Sequence, residues 1–253
     1  MNLKSKIVLA LLATSSAAFA QTAPAAATPE VTYNVGVVSQ YRYRGIAQTK
    51  GDAALQGGVD YANANGFYLG AWGSTIKWIK DAAATTGETK GSVELDLYGG
   101  YKFEAAGVAY DVGYLRYEYV NNTYSKVTGV SANTDEVYGA ATYGVVTAKY
   151  SYAFSDLFGT ANSKGSSYFD LSANFDLGNG YTLTPHAGRQ LIKNSTNSYS
   201  DFALTLGKDL GDGLSASVSA ISTTAKHNTY YTSTATSYGT AKNAVVVGVK
   251  YAF

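Results

Sequence analysis

The chain has no cysteine, three prolines, two histidines and one methionine in 253 residues. The lack of cysteine excludes disulfides, thiolate metal sites and cysteine nucleophiles. With only His186 and His227, a multi-histidine metal site is excluded too, and no cofactor or metal is expected. Charge is scarce: Asp, Glu, Lys and Arg make up 15% of the chain, against roughly 25% in ordinary soluble domains. Lys and Arg total 19 against 18 Asp and Glu, so no polycationic surface exists to gather nucleic acid. After the first residues, no apolar run approaches the ~20 residues of a membrane-spanning helix. What is abundant is tyrosine, with 23 residues, and glycine, with 27.

The N-terminus has the form of an address. Lys4 and Lys6 precede an apolar stretch at 7–13 (IVLALLA), and Ala18-Phe19-Ala20 supplies small residues for a signal peptidase. This predicts a secretory signal peptide over 1–20, followed by an Ala/Pro/Thr-rich flexible lead-in over 21–30. Loss of Lys4 and Lys6 with the leader takes Lys plus Arg from 19 to 17, leaving the mature chain near −1.

The remaining residues, 31–253, alternate. Tyr33, Val35, Val37, Tyr41 and Tyr43 share one face, opposite Asn34, Gln40, Arg42 and Arg44. Val93, Leu95, Leu97, Tyr101 and Phe103 oppose Glu94, Asp96 and Lys102. Phe169, Leu171, Ala173, Phe175 and Leu177 oppose Asp170, Ser172, Asn174 and Asp176. Successive strand side chains point to opposite faces, so each segment has one apolar and one polar side. The pattern predicts twelve strands, at 31–43, 53–62, 67–77, 92–103, 108–119, 135–145, 147–155, 167–177, 181–190, 200–208, 214–222 and 243–253. Two spots resist. The apolar face changes parity near Tyr114, which suggests a bulge or a misplaced register. Pro185 falls inside a strand, where it cannot donate a ladder bond.

Connections alternate in length. Short ones lie at 63–66, 104–107, near 146, 177–180 and 209–213; long polar ones lie at 44–52, 78–91, 120–134, 155–166, 191–199 and 223–242. Tight turns at one end and long loops at the other mark outer-membrane barrels. The chain closes on Tyr251-Ala252-Phe253, a pattern like the C-terminal strand read by the bacterial barrel-assembly machinery. The fold expected is therefore all-β, a single antiparallel transmembrane β-barrel of about twelve strands. It is placed in the outer membrane of a Gram-negative bacterium with both termini periplasmic. Tyrosines near strand ends, and Trp78, are expected in interfacial girdles.

The ordered motifs Ser39-Gln40-Tyr41-Arg42-Tyr43-Arg44-Gly45, Gln56-Gly57-Gly58-Val59-Asp60-Tyr61, Gly66-Phe67-Tyr68-Leu69-Gly70, Glu94-Leu95-Asp96-Leu97-Tyr98-Gly99-Gly100-Tyr101, Tyr110-Asp111-Val112-Gly113-Tyr114 and Asp135-Glu136-Val137-Tyr138 carry a family resemblance. The sequence resembles the TorF family of porin-like proteins, the Gcw_chp-type outer-membrane proteins of unknown function. Ala47, Ala53 and Val120 depart from the family's usual residues, which bears on loop shape. The resemblance implies an outer-membrane barrel with a channel role and no established substrate.

Charged and polar residues of the wet face should point into the lumen, because a charge facing lipid at midplane costs roughly 2–4 kcal/mol. Arg42, Arg44, Gln56, Asp60, Glu94, Asp96, Lys102, Glu136, Lys149, Asp170 and Lys250 are the expected pore lining. Tyr251 and Phe253 are the expected assembly signal. Arg42 and Arg44 form either a cationic rim or, as favoured here, structural pairs with Asp60, Glu94 or lipopolysaccharide phosphates. Gly57-Gly58 and Gly99-Gly100 match no phosphate loop and are expected to permit bends or close packing. Catalysis is not expected: no GxSxG precedes a helical segment, and His186 reads as a lumen hydrogen-bonder. The function expected is passive diffusion of small hydrophilic solutes or ions. A non-conducting structural or surface-binding barrel is the alternative, and a lipid-modifying enzyme is less favoured. Expected partners are membrane lipid, lipopolysaccharide, the assembly machinery and the solutes, with no nucleic acid.

Overall fold

The alternating segments fold into strands that pair with their sequence neighbours. The structure, a computed structural model, describes residues 29–83, 90–226 and 240–253. The expected signal peptide, nearly all of the lead-in, His227 and most of the last long loop lie outside the described residues. The barrel strands are β1 (Glu30–Val38), β2 (Ala54–Ala62), β3 (Phe67–Thr75), β4 (Val93–Ala105), β5 (Val108–Tyr119) and β6 (Thr134–Tyr143). They continue as β7 (Val146–Ala153), β8 (Ser167–Ala173 with Phe175–Gly178), β9 (Tyr181–Leu191), β10 (Tyr199–Gly211), β11 (Leu214–Thr223) and β12 (Ala244–Ala252). Every pairing is antiparallel, and β1 pairs both β2 and β12, which closes the sheet into a twelve-stranded barrel. Closure leaves no open edge, the condition for a sheet to cross lipid.

One end of the barrel carries the short turns. Asn179-Gly180 has φ of 52° and 75°, and Asp212-Gly213 has 50° and 82°. Two positive φ values in a two-residue turn match the right-handed twist of the flanking strands. The described chain also begins and ends here. The other end carries the long connections and two short helices, α1 (Trp78–Ala83) and α2 (Tyr124–Thr128).

The outward face is apolar. Val31, Tyr33, Val35 and Val37 on β1 and Val245, Val247, Val249 and Tyr251 on β12 are all exposed, the pattern of a lipid-facing belt. Aromatic girdle residues gather at the short-turn end. Phe253 stacks on Tyr33 at 5.7 Å and on Tyr251 at 5.4 Å, and Phe103 stacks on Tyr110 at 5.1 Å.

The inward face shows why glycine is so frequent. Tyr98 lies across from Gly70, Tyr68 across from Gly100, and Tyr138 across from Gly113. An added Cβ at any of these glycines would run into the facing tyrosine ring. Each ring therefore lies flat along the wall over a neighbour without a side chain. The sequence-based expectation of close packing at Gly99-Gly100 is met here.

Several expectations are corrected. The first strand stops at Val38, five residues short of the expected end, and the chain then turns inward; Tyr41 and Tyr43 are buried rather than lipid-facing. β5 has no bulge at Tyr114, since its register with β4 and β6 is unbroken. Its inward residues are Asp111, Gly113, Leu115, Tyr117 and Tyr119. The sequence pattern changes parity because Leu115, Tyr117 and Tyr119 pack on inserted loops, while outward Arg116 pairs with Glu118 at 2.7 Å and Asp135 at 3.0 Å. Pro185 sits in β9 in register with Ala173, beside the break in β8 at Asn174, where the β8–β9 pairing lapses between Ser172–His186 and Phe175–Leu183 and a residue without an N–H is tolerated. Trp78 is no girdle residue: it is buried against Tyr119 at 5.0 Å and Tyr124 at 5.6 Å.

Candidate functional site

The bore collects the inward faces of the strands, and its two ends differ. Toward the short turns, Thr32, Asn34, Asp60, Lys102, His186 and Lys250 face inward and remain partly exposed. Toward the long loops the bore is packed solid. The reason lies in residues 39–49. Arg42–Tyr43 pairs with Ile46–Ala47 as a small hairpin. Its turn, Arg44-Gly45, has φ of 45° and 77°. Every residue from 41 to 49 is buried.

The hairpin touches the wall nearly all the way round. Tyr41 donates its hydroxyl to Glu94 on β4 at 2.7 Å. The Tyr43 and Tyr117 hydroxyls, hairpin to β5, lie 2.5 Å apart. Arg44 makes a two-pronged ion pair with Glu136 on β6, at 2.7 and 3.0 Å, and donates to Gln190 Oε1 on β9 at 2.8 Å. Its guanidinium lies 4.2 Å over the ring of Tyr168 on β8 and 4.8 Å from that of Tyr43. Gly45 rests against Asp201 and Thr223, on β10 and β11. Arg42 donates to the carbonyls of Gly45, Thr240 and Lys242, at 3.2, 3.1 and 2.6 Å. The hairpin's own Ile46 joins Ile76, Trp78, Ile79, Leu157, Phe158 and Ile192 in an apolar core among the described residues. At the rim, Lys77 pairs with Asp52 and holds its carboxyl below the usual range.

The expected pore-lining residues are all inside the barrel, in two groups. Arg42 and Arg44 are not a rim; they belong to the hairpin, and Arg44 pairs with Glu136 rather than with Asp60 or Glu94. Gln56 is buried and donates to Ser74 at 3.3 Å. Glu94, Asp96 and Glu136 line the wall around the hairpin, each no more than 2% exposed. Asp96 has no hydrogen-bond partner at either carboxylate oxygen. Lower down, Asp60 accepts the Tyr98 hydroxyl at 2.5 Å. Lys102 stands opposite Asp111 in register, and Lys149 opposite Asp170. Lys149 lies 3.8 Å over the Tyr138 ring, and Lys250 is inward opposite Gly36 and Ser215. Tyr251 and Phe253 stay outside, in the aromatic stack described above.

His186 lies between carboxylates: Nε2 is 2.7 Å from Asp170 and Nδ1 is 3.7 Å from Asp201. The hydroxyl beside it, at 3.2 Å, belongs to Tyr168 and not to a serine. That arrangement anchors a polar network and has the wrong hydroxyl for a serine-hydrolase triad. Sequence reasoning missed Asp111, because its strand's parity was misjudged, and it did not single out Asp201. It also missed Tyr68, Tyr98 and Tyr138, whose signal was a tyrosine facing a glycine on the next strand, and Tyr168, which lies diagonally over Gly188.

A family model described as a bacterial protein of unknown function (Gcw_chp) matches residues 22–253. No curated protein matches the chain in sequence. Among solved structures, the KdgM porin in complex with disordered oligogalacturonate is similar at TM-score 0.53 and 10% identity, covering 88% of this chain and 98% of that one. The NanC porin, in a rhombohedral crystal form, is similar at TM-score 0.52 and 9% identity, covering 88% and 99%. The likeness is one of fold: a closed barrel of the outer-membrane type.

Proposed function

Starting from the fact that the chain belongs to the Gcw_chp family of bacterial proteins of unknown function, we propose that it is an outer-membrane channel for passive diffusion of small hydrophilic solutes or ions. The observation that carries this reading is how the bore is closed. Small barrels are filled by the side chains of their own walls. Here the wall tyrosines lie flat over glycines, and closure is made by the inserted hairpin and loops. The partly exposed, charged inner bore and the fold likeness to two porins support the same reading, as does the motif resemblance to the TorF family. The pore lining is Gln56, Asp60, Glu94, Asp96, Lys102, Glu136, Lys149, Asp170 and Lys250, with Arg42 and Arg44 on the hairpin as the closing element. The apolar core at the long-loop end favours the second reading, a non-conducting barrel. Proteoliposome swelling separates the two. Solute entry above the protein-free rate, falling with solute size, is expected of the channel; entry at the protein-free rate from folded protein contradicts it.

Both termini lie on the periplasmic side in this proposal, and the long loops meet lipopolysaccharide. Tyr251 and Phe253 serve as the assembly signal. Phe253 also forms paired backbone bonds with Tyr33, at 2.8 and 3.0 Å, so its main chain closes the β1–β12 seam while its ring stacks on Tyr33. Phe253→Asp is expected to reduce the heat-modifiable, folded fraction in the outer membrane, with Val249→Ala as control. An unchanged folded fraction would remove the assembly role.

A further inference from the structure

The charges in the lower bore are matched wall to wall. Lys102 faces Asp111 and Lys149 faces Asp170 across adjacent strands. His186 lies between Asp170 and Asp201, and Lys250 stands in the field of Asp60. The level of the hairpin is different. The wall there contributes Glu94, Asp96 and Glu136, all buried. The counter-charge, Arg44, comes from the hairpin, and its one ion pair among the described residues is with Glu136. Glu94 is held by the hairpin's Tyr41 and by the wall's Tyr119. Asp96 lies in the combined field of Glu94, Glu136 and Arg44, yet neither of its oxygens has a hydrogen-bond partner.

A buried carboxyl group with no hydrogen-bond partner is an expensive arrangement in any permanent structure. It is relieved once the hairpin leaves and water or a cation enters. Withdrawal also takes Arg44 and Tyr41 away, so the wall is left with three carboxylates. Lys149, the wall base in the field of Glu136, is already shared with Asp111 and Asp170.

We propose that Glu94, Asp96 and Glu136 form the cation-selecting station of the channel, covered at rest by the hairpin at 39–49 and uncovered when it withdraws. The proposal rests on the channel reading and names its substrate class: small cations, including protonated amines. Rings of Asp and Glu select cations by their concentrated negative charge. The oligogalacturonate of the similar KdgM porin is a polyanion, and this station would repel such a ligand.

The test is a reversal-potential measurement in a planar bilayer under a potassium chloride gradient. It uses the full chain with 41–48 replaced by a short Gly/Ser linker, folding being checked by heat-modifiable migration. Arg44→Met in the otherwise intact chain serves as a second route to the uncovered state. The expected result is a several-fold preference for potassium over chloride in the parent. That preference collapses toward unity when Glu94→Gln, Asp96→Asn and Glu136→Gln are combined. A current that is unselective, anion-selective or unmoved by the triple replacement overturns the station and leaves the channel standing. A silent bilayer from folded protein overturns the station and the channel together.

Discussion

Arg44→Ala is expected to loosen the hairpin by a hundredfold or more. The Arg44–Glu136 pair is almost wholly buried, with side chains 4% and 2% exposed. Taking away one partner of a buried pair leaves the other charged and unsolvated, which costs about 3–5 kcal/mol. At about 1.4 kcal/mol per factor of ten, that is a shift of more than a hundredfold in the docked population. The substitution also removes the bond to Gln190 and the stack on Tyr168. The cysteine-free chain makes the effect easy to read. Ala47 sits in the hairpin at 0% exposure, so Ala47→Cys places a single thiol behind the plug. Its reaction with a soluble thiol reagent should be slow in the Ala47→Cys parent and faster by the stated factor once Arg44→Ala is added. Arg44→Lys should fall between, since lysine keeps the charge and loses the fork and the flat stack. Equal labelling rates in all three would mean that the ion pair does not hold the hairpin.

Gly188→Ala is expected to lose about 1–3 kcal/mol of stability, the usual cost of overpacking a filled site. The added Cβ would meet the Tyr168 hydroxyl and ring, and would lie 2.8 Å from Asp201 Oδ2. Tyr168 cannot retreat freely. Its hydroxyl is 3.1 Å from both Asp201 oxygens and 3.2 Å from His186, and its face carries the Arg44 guanidinium. One methyl group therefore disturbs the wall network and the hairpin seat together. Gly139→Ala is the matched control, because a Cβ there meets nothing within 4 Å. Urea unfolding in detergent should show a lower midpoint for Gly188→Ala and an unchanged one for Gly139→Ala. Equal midpoints would show that the ring-on-glycine contact carries no weight.

The barrel was legible in the sequence because its information is local. Val245, Val247, Val249 and Tyr251 alternate with inward residues whatever their partners are, and a turn such as Asn179-Gly180 announces itself. The hairpin was not legible as a plug. Tyr41-Arg42-Tyr43-Arg44 continues the period of β1, so a strand that stops at Val38 and folds back inside reads as one strand passing on. The clue was Gly45, which supplies the turn. Contact partners were hidden for another reason. Glu136 and Gln190 meet Arg44 across the bore, 92 and 146 residues away in sequence, and only closure brings them together. Asp111 was lost when Leu115, Tyr117 and Tyr119 put apolar side chains on the inward face.

The central claim is a polar bore closed by a displaceable hairpin, and single-channel recording addresses it most directly. The native chain and the chain with 41–48 replaced by a short linker would be compared in the same planar bilayer, both shown to be folded. The account predicts rare or small openings for the native chain and frequent, stepwise, larger conductance once the hairpin is gone. Indistinguishable conductance from the two chains would contradict the plug, and silence from both would contradict the channel itself.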